Sequence, residues 1–152
     1  MNKILVLGGG SWGTTLGNLL AEKDHDVTLW ARNSKIFKKV KNYWTNNQYL
    51  PKYKISKNLK IVSDLKDAFL DVDLVILAIP SKSFRSISSK ISMYLDNQKI
   101  LIASKGIENE SFMTMSEVFI DETNHSKKNI MILSGPNTVS YTHLRAHETY
   151  RD

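Results

Sequence analysis

The run Gly8-Gly9-Gly10-Ser11-Trp12-Gly13 sets glycines at the first, third and sixth places, a spacing that lets a tight backbone turn hold a pyrophosphate. Gly8 permits the turn, Gly10 lets the main chain approach an anion with no Cβ in the way, and Gly13 lets a helix lie close to the preceding strand. The helix that starts there would aim unpaired N–H groups and a partial positive charge at the phosphates. A cation further on suits the same work: the guanidinium of Arg32 can grip a phosphate with two parallel hydrogen bonds.

These residues matter only if strands and helices hold them. Ile4 to Leu7 is a short continuous apolar run ending in glycine, as in a strand buried on both faces. Trp12, Thr15, Leu16, Leu19 and Leu20 recur at helical spacing, and the helix fades over Lys23 to Asp26. Val27 to Trp30 reads as a second strand. A helix from about Ser34 to Tyr43 and a loop around Asn46-Asn47, broken at Pro51, come next. Ile61-Val62 reads as a short strand, Leu65 to Leu70 as a short helix, and Asp73 to Pro80 as the clearest apolar strand. Phe84, Ile87, Ile91 and Leu95 follow at helical spacing; then come a strand at Ile100 to Ala103, a helix at Met113 to Asp121 and a strand at Ile130 to Leu133. Such alternation predicts an α/β domain, Rossmann-like, with a doubly wound, mostly parallel sheet and ligands at the carboxyl ends of its strands.

Composition excludes several classes. The 152 residues, 41% hydrophobic and 24% charged, give one ordinary domain with a real core. With no cysteine there is neither a disulfide framework nor a thiolate metal site, which fits a reducing cytoplasm. No apolar run approaches the ~18 residues of a membrane span, and Ile4 to Leu7 is too short for a signal core. The net charge of +6 raises nucleic acid as a partner. Between Lys35 and Lys60 stand eight lysines and no acid, interleaved with Phe37, Tyr43, Trp44, Tyr49 and Tyr53. That stretch reads as a solvated face whose aromatics point inward, or as a positive field beside a phosphorylated ligand, or as a nucleic-acid contact. The reading adopted has no nucleic-acid and no membrane partner.

An enzyme specific for NAD usually places an acid at the end of the second strand to hold the ribose 2′-hydroxyl. Here the chain reads Leu29-Trp30-Ala31-Arg32. The acid is missing and an arginine follows, so NADPH is expected to be accepted alongside NADH, with Arg32 discriminating.

With the loop extended through Thr14-Thr15-Leu16 and followed by Leu29-Trp30-Ala31-Arg32, the chain resembles bacterial NAD(P)-dependent glycerol-3-phosphate dehydrogenase. Tyr49-Leu50-Pro51, Ala78-Ile79-Pro80-Ser81, Ala103-Ser104-Lys105-Gly106-Ile107-Glu108 and Ser134-Gly135-Pro136 match further segments of that family in order. The resemblance implies reversible hydride transfer between dihydroxyacetone phosphate and sn-glycerol 3-phosphate, serving glycerophospholipid synthesis. It implies a small phosphorylated substrate, and it leaves a homodimer open for the full-length protein. It also implies cofactor contacts at Gly8, Gly10, Ser11, Trp12, Gly13, Arg32 and Tyr49. Lys105 would lie between nicotinamide and substrate, and Gly135 and Asn137 would lie at the substrate.

Asn137 stands where the family has a small hydroxyl residue, and the matching pattern stops there. Residues 1–136 therefore read as the NAD(P)-binding domain, and 137–152 as a tail that is not native, resembling adaptor-derived sequence on a truncated frame. The rival reading of the tail is a metal site at His143 and His147 beside Glu148. The family's helical domain, with its proton-accepting lysine, is absent from these residues. No catalytic residue is thus assigned here, no metal is expected, and the 152 residues alone should be inactive. Alternatives are the cofactor domain of a ketopantoate or 6-phosphogluconate type reductase, a stand-alone nucleotide-binding module, and a nucleic-acid binder using Lys35 to Lys60.

Overall fold

A computed structural model describes residues 3–32, 45–46 and 50–134. The helix expected over Ser34 to Tyr43, the site residues Tyr49, Gly135 and Asn137, and the tail with His143 and His147 lie outside the described residues.

Strand β1 (Lys3–Leu7) owes its place to two apolar faces: Leu5 and Leu7 enter one buried cluster, Ile4 and Val6 another. Period-two alternation of a wholly apolar run gives a strand covered on both sides. Its parallel neighbours are β2 (Asp26–Trp30) and β6 (Leu74–Leu77), with Leu7 level with both Trp30 and Leu77. β5 (Lys60–Val62) extends the sheet beyond β2, and β7 (Lys99–Ile102) and β8 (Ile130–Ile132) extend it beyond β6. The order is β5-β2-β1-β6-β7-β8. The chain winds outward one way from β1, then the other way from β6. A crevice therefore opens between their carboxyl ends, where the direction reverses.

Helices cover both faces. Against the first lie α2 (Leu65–Ala68), α3 (Ser81–Ile91) and α4 (Met115–Thr123), which bury Ala68, Phe84, Ile87, Ile91, Val118 and Phe119. Against the second lies α1 (Ser11–Ala21), joined by Ile55 and Leu59. The deep face of α1 differs from the apolar spacing read in the sequence. Gly13, Gly17 and Ala21 are buried on it, with the polar pair Thr14 and Asn18, while Leu19 is 51% exposed. A stripe without bulk lets the helix axis come closer to the sheet than leucines would, and Trp12, Leu16 and Leu20 flank the contact.

The segment read as a loop broken at Pro51 holds two strands instead. β3 (Thr45–Asn46) pairs antiparallel with β4 (Leu50–Lys54), which contains Pro51. A proline is tolerated there because a two-stranded ribbon leaves part of its N–H groups unpaired in any case. β6 stops at Leu77, short of the expected Pro80, because its ladder ends with Ala78 donating to the Leu7 carbonyl and α3 begins at Ser81. α4 starts behind Thr114, whose hydroxyl accepts from the Glu117 N–H while the Glu117 carboxylate accepts from the Thr114 N–H. Of the aromatics in the lysine-rich stretch, Tyr53 is 44% exposed rather than turned inward. Among the described residues no helix is long and apolar enough to cross a membrane.

Candidate functional site

At the carboxyl ends of β1, β2, β6 and β7 lies a cleft of about 670 Å³. Gly8, Gly10, Ser11 and Trp12 form one wall, with Arg32 after β2 and Lys105 after β7 on the rim. The sequence had separated these six by as many as 97 positions between Gly8 and Lys105; the parallel sheet brings them to one opening. The floor is apolar, with Ala31, Ala78 and Ile79 in it. Arg32 and Lys105 are cations, and among the described lining residues there is no carboxylate.

The glycines differ in what they do. Gly8 has φ +130°, and a Cβ there would stand 2.3 Å from the Ala78 carbonyl oxygen. Gly13 lies behind the loop rather than in the cleft wall, and a Cβ on it would meet the Gly8 carbonyl oxygen at 1.9 Å. Both distances are impossible, so Gly8 sets how close the chain after β1 comes to the chain after β6, and Gly13 sets how close α1 comes to both. At Gly10 a Cβ would find nothing within 4 Å. The space beside Gly10 is open, and the first turn of α1 carries no acidic residue. A cradle of this shape, opposite two cations, fits a polyanionic dinucleotide.

Several bonds hold the rim. The Trp12 indole N–H donates to the Ala103 carbonyl at 3.2 Å, tying the start of α1 to the end of β7. The Ser104 hydroxyl accepts from the Ile79 N–H and donates to the Leu77 carbonyl, each at 3.0 Å, bridging β6 and β7 beside Lys105. Trp30 donates to the Ser63 carbonyl at 3.0 Å. Sequence reasoning missed Ser104 as a brace, although a hydroxyl beside a strand-end lysine was a usable signal.

It also missed Arg85. This α3 side chain makes two parallel hydrogen bonds to Glu108, Nε to Oε1 at 2.9 Å and Nη2 to Oε2 at 2.8 Å. Its Nη1 donates to Asp121 and Glu122 on α4. Glu108 thus anchors the far end of the loop that carries Lys105. The Arg85 hydrogen bonds, helped by the Ser111 hydroxyl, pull the Glu108 carboxyl from its ordinary 4.5 down to about 2, and the guanidinium is pushed well above its usual range. A depressed folded value means stability that is fully present above pH ~4.5 and lost as pH falls towards 2. Glu108→Gln should accordingly be less stable than the native chain by a constant margin above pH ~5, with the margin closing towards pH 2. Urea melts at pH 7, 4 and 2.5 check this; a margin independent of pH would contradict it.

The fold and cleft define a nucleotide-binding domain of the doubly wound α/β class. The family model for the NAD-dependent glycerol-3-phosphate dehydrogenase N-terminus matches residues 3–142. The chain is 42% identical over 135 residues to glycerol-3-phosphate dehydrogenase [NAD(P)+] of Carboxydothermus hydrogenoformans, covering 88% of this chain and 40% of that one. It is 40% identical over 136 residues to the enzyme of the same name from Teredinibacter turnerae, covering 89% and 39%. Among solved structures, glycerol-3-phosphate dehydrogenase from Coxiella burnetii superposes with a TM-score of 0.80 at 26% identity, over 99% of this chain and 51% of that one. The chain belongs to the NAD-dependent glycerol-3-phosphate dehydrogenase family and corresponds to its N-terminal, NAD-binding domain. It spans about 40% of the length of the curated relatives it matches.

Proposed function

We propose that this chain is the cofactor-binding part of an enzyme that interconverts dihydroxyacetone phosphate and sn-glycerol 3-phosphate with NADPH or NADH, in the cytoplasm, for glycerophospholipid synthesis. The observation that carries this reading is the cleft over the glycine loop, rimmed by Arg32 and Lys105 and with no carboxylate among its described lining residues, in a chain of this family. Residues 1–136 constitute the nucleotide-binding domain. The backbone at Gly10 and Ser11 receives the pyrophosphate, Gly8 and Gly13 keep the loop in shape, and Trp12 and Tyr49 border the dinucleotide. Lys105 faces both nicotinamide and substrate, and Gly135 and Asn137 serve the phosphorylated substrate. The bound nicotinamide supplies or takes the hydride; the ammonium of Lys105 steadies the oxygen on which charge builds.

Titration with NADPH and NADH, followed by tryptophan fluorescence, tests the nucleotide reading. Arg32→Ala should lower NADPH affinity roughly tenfold and leave NADH affinity within about twofold, the loss of one bidentate phosphate contact. An unchanged preference would remove Arg32 from cofactor choice.

A further inference from the structure

We infer that Asn46, on the small antiparallel ribbon, is a positioning residue that fixes the orientation of the Gly9–Gly10 peptide and so keeps the Gly10 N–H turned towards the cleft. The inference rests on the nucleotide-binding reading and adds to it a residue outside the glycine motif.

Asn46 is 2% exposed, and its Nδ2 donates twice: to the Gly9 carbonyl oxygen at 3.1 Å and to the Thr14 hydroxyl oxygen at 2.9 Å. The carbonyl can only accept, so the amide nitrogen must face it. The peptide is trans, and in a planar trans peptide the N–H points opposite to the C=O. Holding the Gly9 oxygen back against Asn46 therefore turns the Gly10 N–H the other way. Gly10 lines the cleft, has an extended backbone with φ −76° and ψ −176°, and has open space beside its Cα. Glycine resists rotation of this peptide less than any other residue, so an external hold is needed where two glycines adjoin.

The ribbon can hold it because it is itself fixed to α1. Thr14 and Asn18 are four residues apart on the buried face of the helix. Asn18 Oδ1 accepts from the Ser56 N–H at 2.6 Å, just past β4, and its Nδ2 donates to Glu22 at 2.8 Å. Thr14 is fully buried and its N–H donates to the Gly10 carbonyl, so helix, ribbon and loop are bonded to one another around Gly9 and Gly10.

The test compares the native 152-residue chain with Asn46→Asp and Asn46→Ala. A carboxylate has no hydrogen to give the Gly9 oxygen and favours the flipped peptide, whose N–H it can accept; alanine only releases the hold. NADPH affinity, by fluorescence titration, should fall at least about tenfold in Asn46→Asp and less in Asn46→Ala. In ¹⁵N–¹H spectra, inorganic pyrophosphate should move the Gly10 amide signal of the native chain and not that of the aspartate variant. Should Asn46→Asp not fold, Asn46→Ala carries the comparison. Native binding with an unaltered NADPH affinity or an equal Gly10 response in the variants overturns the inference and leaves the nucleotide reading standing. A folded native chain that binds neither NADPH nor pyrophosphate overturns the nucleotide reading, and the inference with it.

Discussion

Gly13→Ala should unfold the chain at markedly lower temperature than the native protein, although it adds a single methyl group to a helix and alanine is the better helix former. The added Cβ would stand 1.9 Å from the Gly8 carbonyl oxygen and 3.3 Å from the Ala78 Cβ. Backbone cannot swing aside as a flexible side chain can, so α1 must lift off the ends of β1 and β6. Overpacking of this kind costs roughly 3 kcal/mol, which outweighs the ~1 kcal/mol gained in helix propensity. The net loss of about 2 kcal/mol corresponds to a drop in Tm of roughly 6 °C for a domain of this size. A melt followed at 222 nm decides it; a Tm within about 2 °C of native would mean that the helix is not held this close.

Gly10→Asp is the opposite case, and its effect falls on binding. Nothing lies within 4 Å of the Cβ position, so the melting temperature should stay within a few degrees of native. The new carboxylate occupies the open space beside the loop, where the pyrophosphate is proposed to sit. Two unit charges about 5 Å apart at an effective dielectric near 20 repel by roughly 3 kcal/mol, about a hundredfold in affinity. NADPH binding should therefore vanish from a fluorescence titration that saturates with the native chain. Retained binding in a folded Gly10→Asp variant would place the phosphates elsewhere. Together the two substitutions separate what the glycine motif does for the fold from what it does for a ligand, three residues apart.

The sheet was legible in the sequence because its strands are covered on both faces: Ile4 to Leu7, Leu74 to Leu77 and Ile100 to Ile102 are unbroken apolar runs that only a buried strand makes useful. The glycine loop was legible because the steric demand falls on the residues themselves. The β3–β4 ribbon was not. Asn46 and Leu50 carry no alternation over so short a pairing, and a proline inside β4 argued for a break. Asn46 acts through bonds to residues 37 and 32 positions away, and spacing along a chain holds no record of such partners. The deep face of α1 was misread for a related reason. Apolar periodicity points to bulky residues, whereas the contact here is made by the small ones, Gly13, Gly17 and Ala21. The Thr114 and Glu117 cap was readable from its spacing, and it moves the start of α4 two residues past Met113.

One guanidinium serving three carboxylates on two segments also constrains how the sequence can drift. If Arg85 were lost first, Glu108, Asp121 and Glu122 would be left crowded together as like charges around the vacated position. Lysine would not rescue it, since an ammonium cannot reproduce the parallel pair of bonds to Glu108. Losing Asp121 or Glu122 first leaves the arginine with two partners and costs little. Replacements at these four positions are therefore tolerated in one order, with the helix carboxylates going before the arginine, and the same change at residue 85 is neutral or harmful according to what has already been replaced around it.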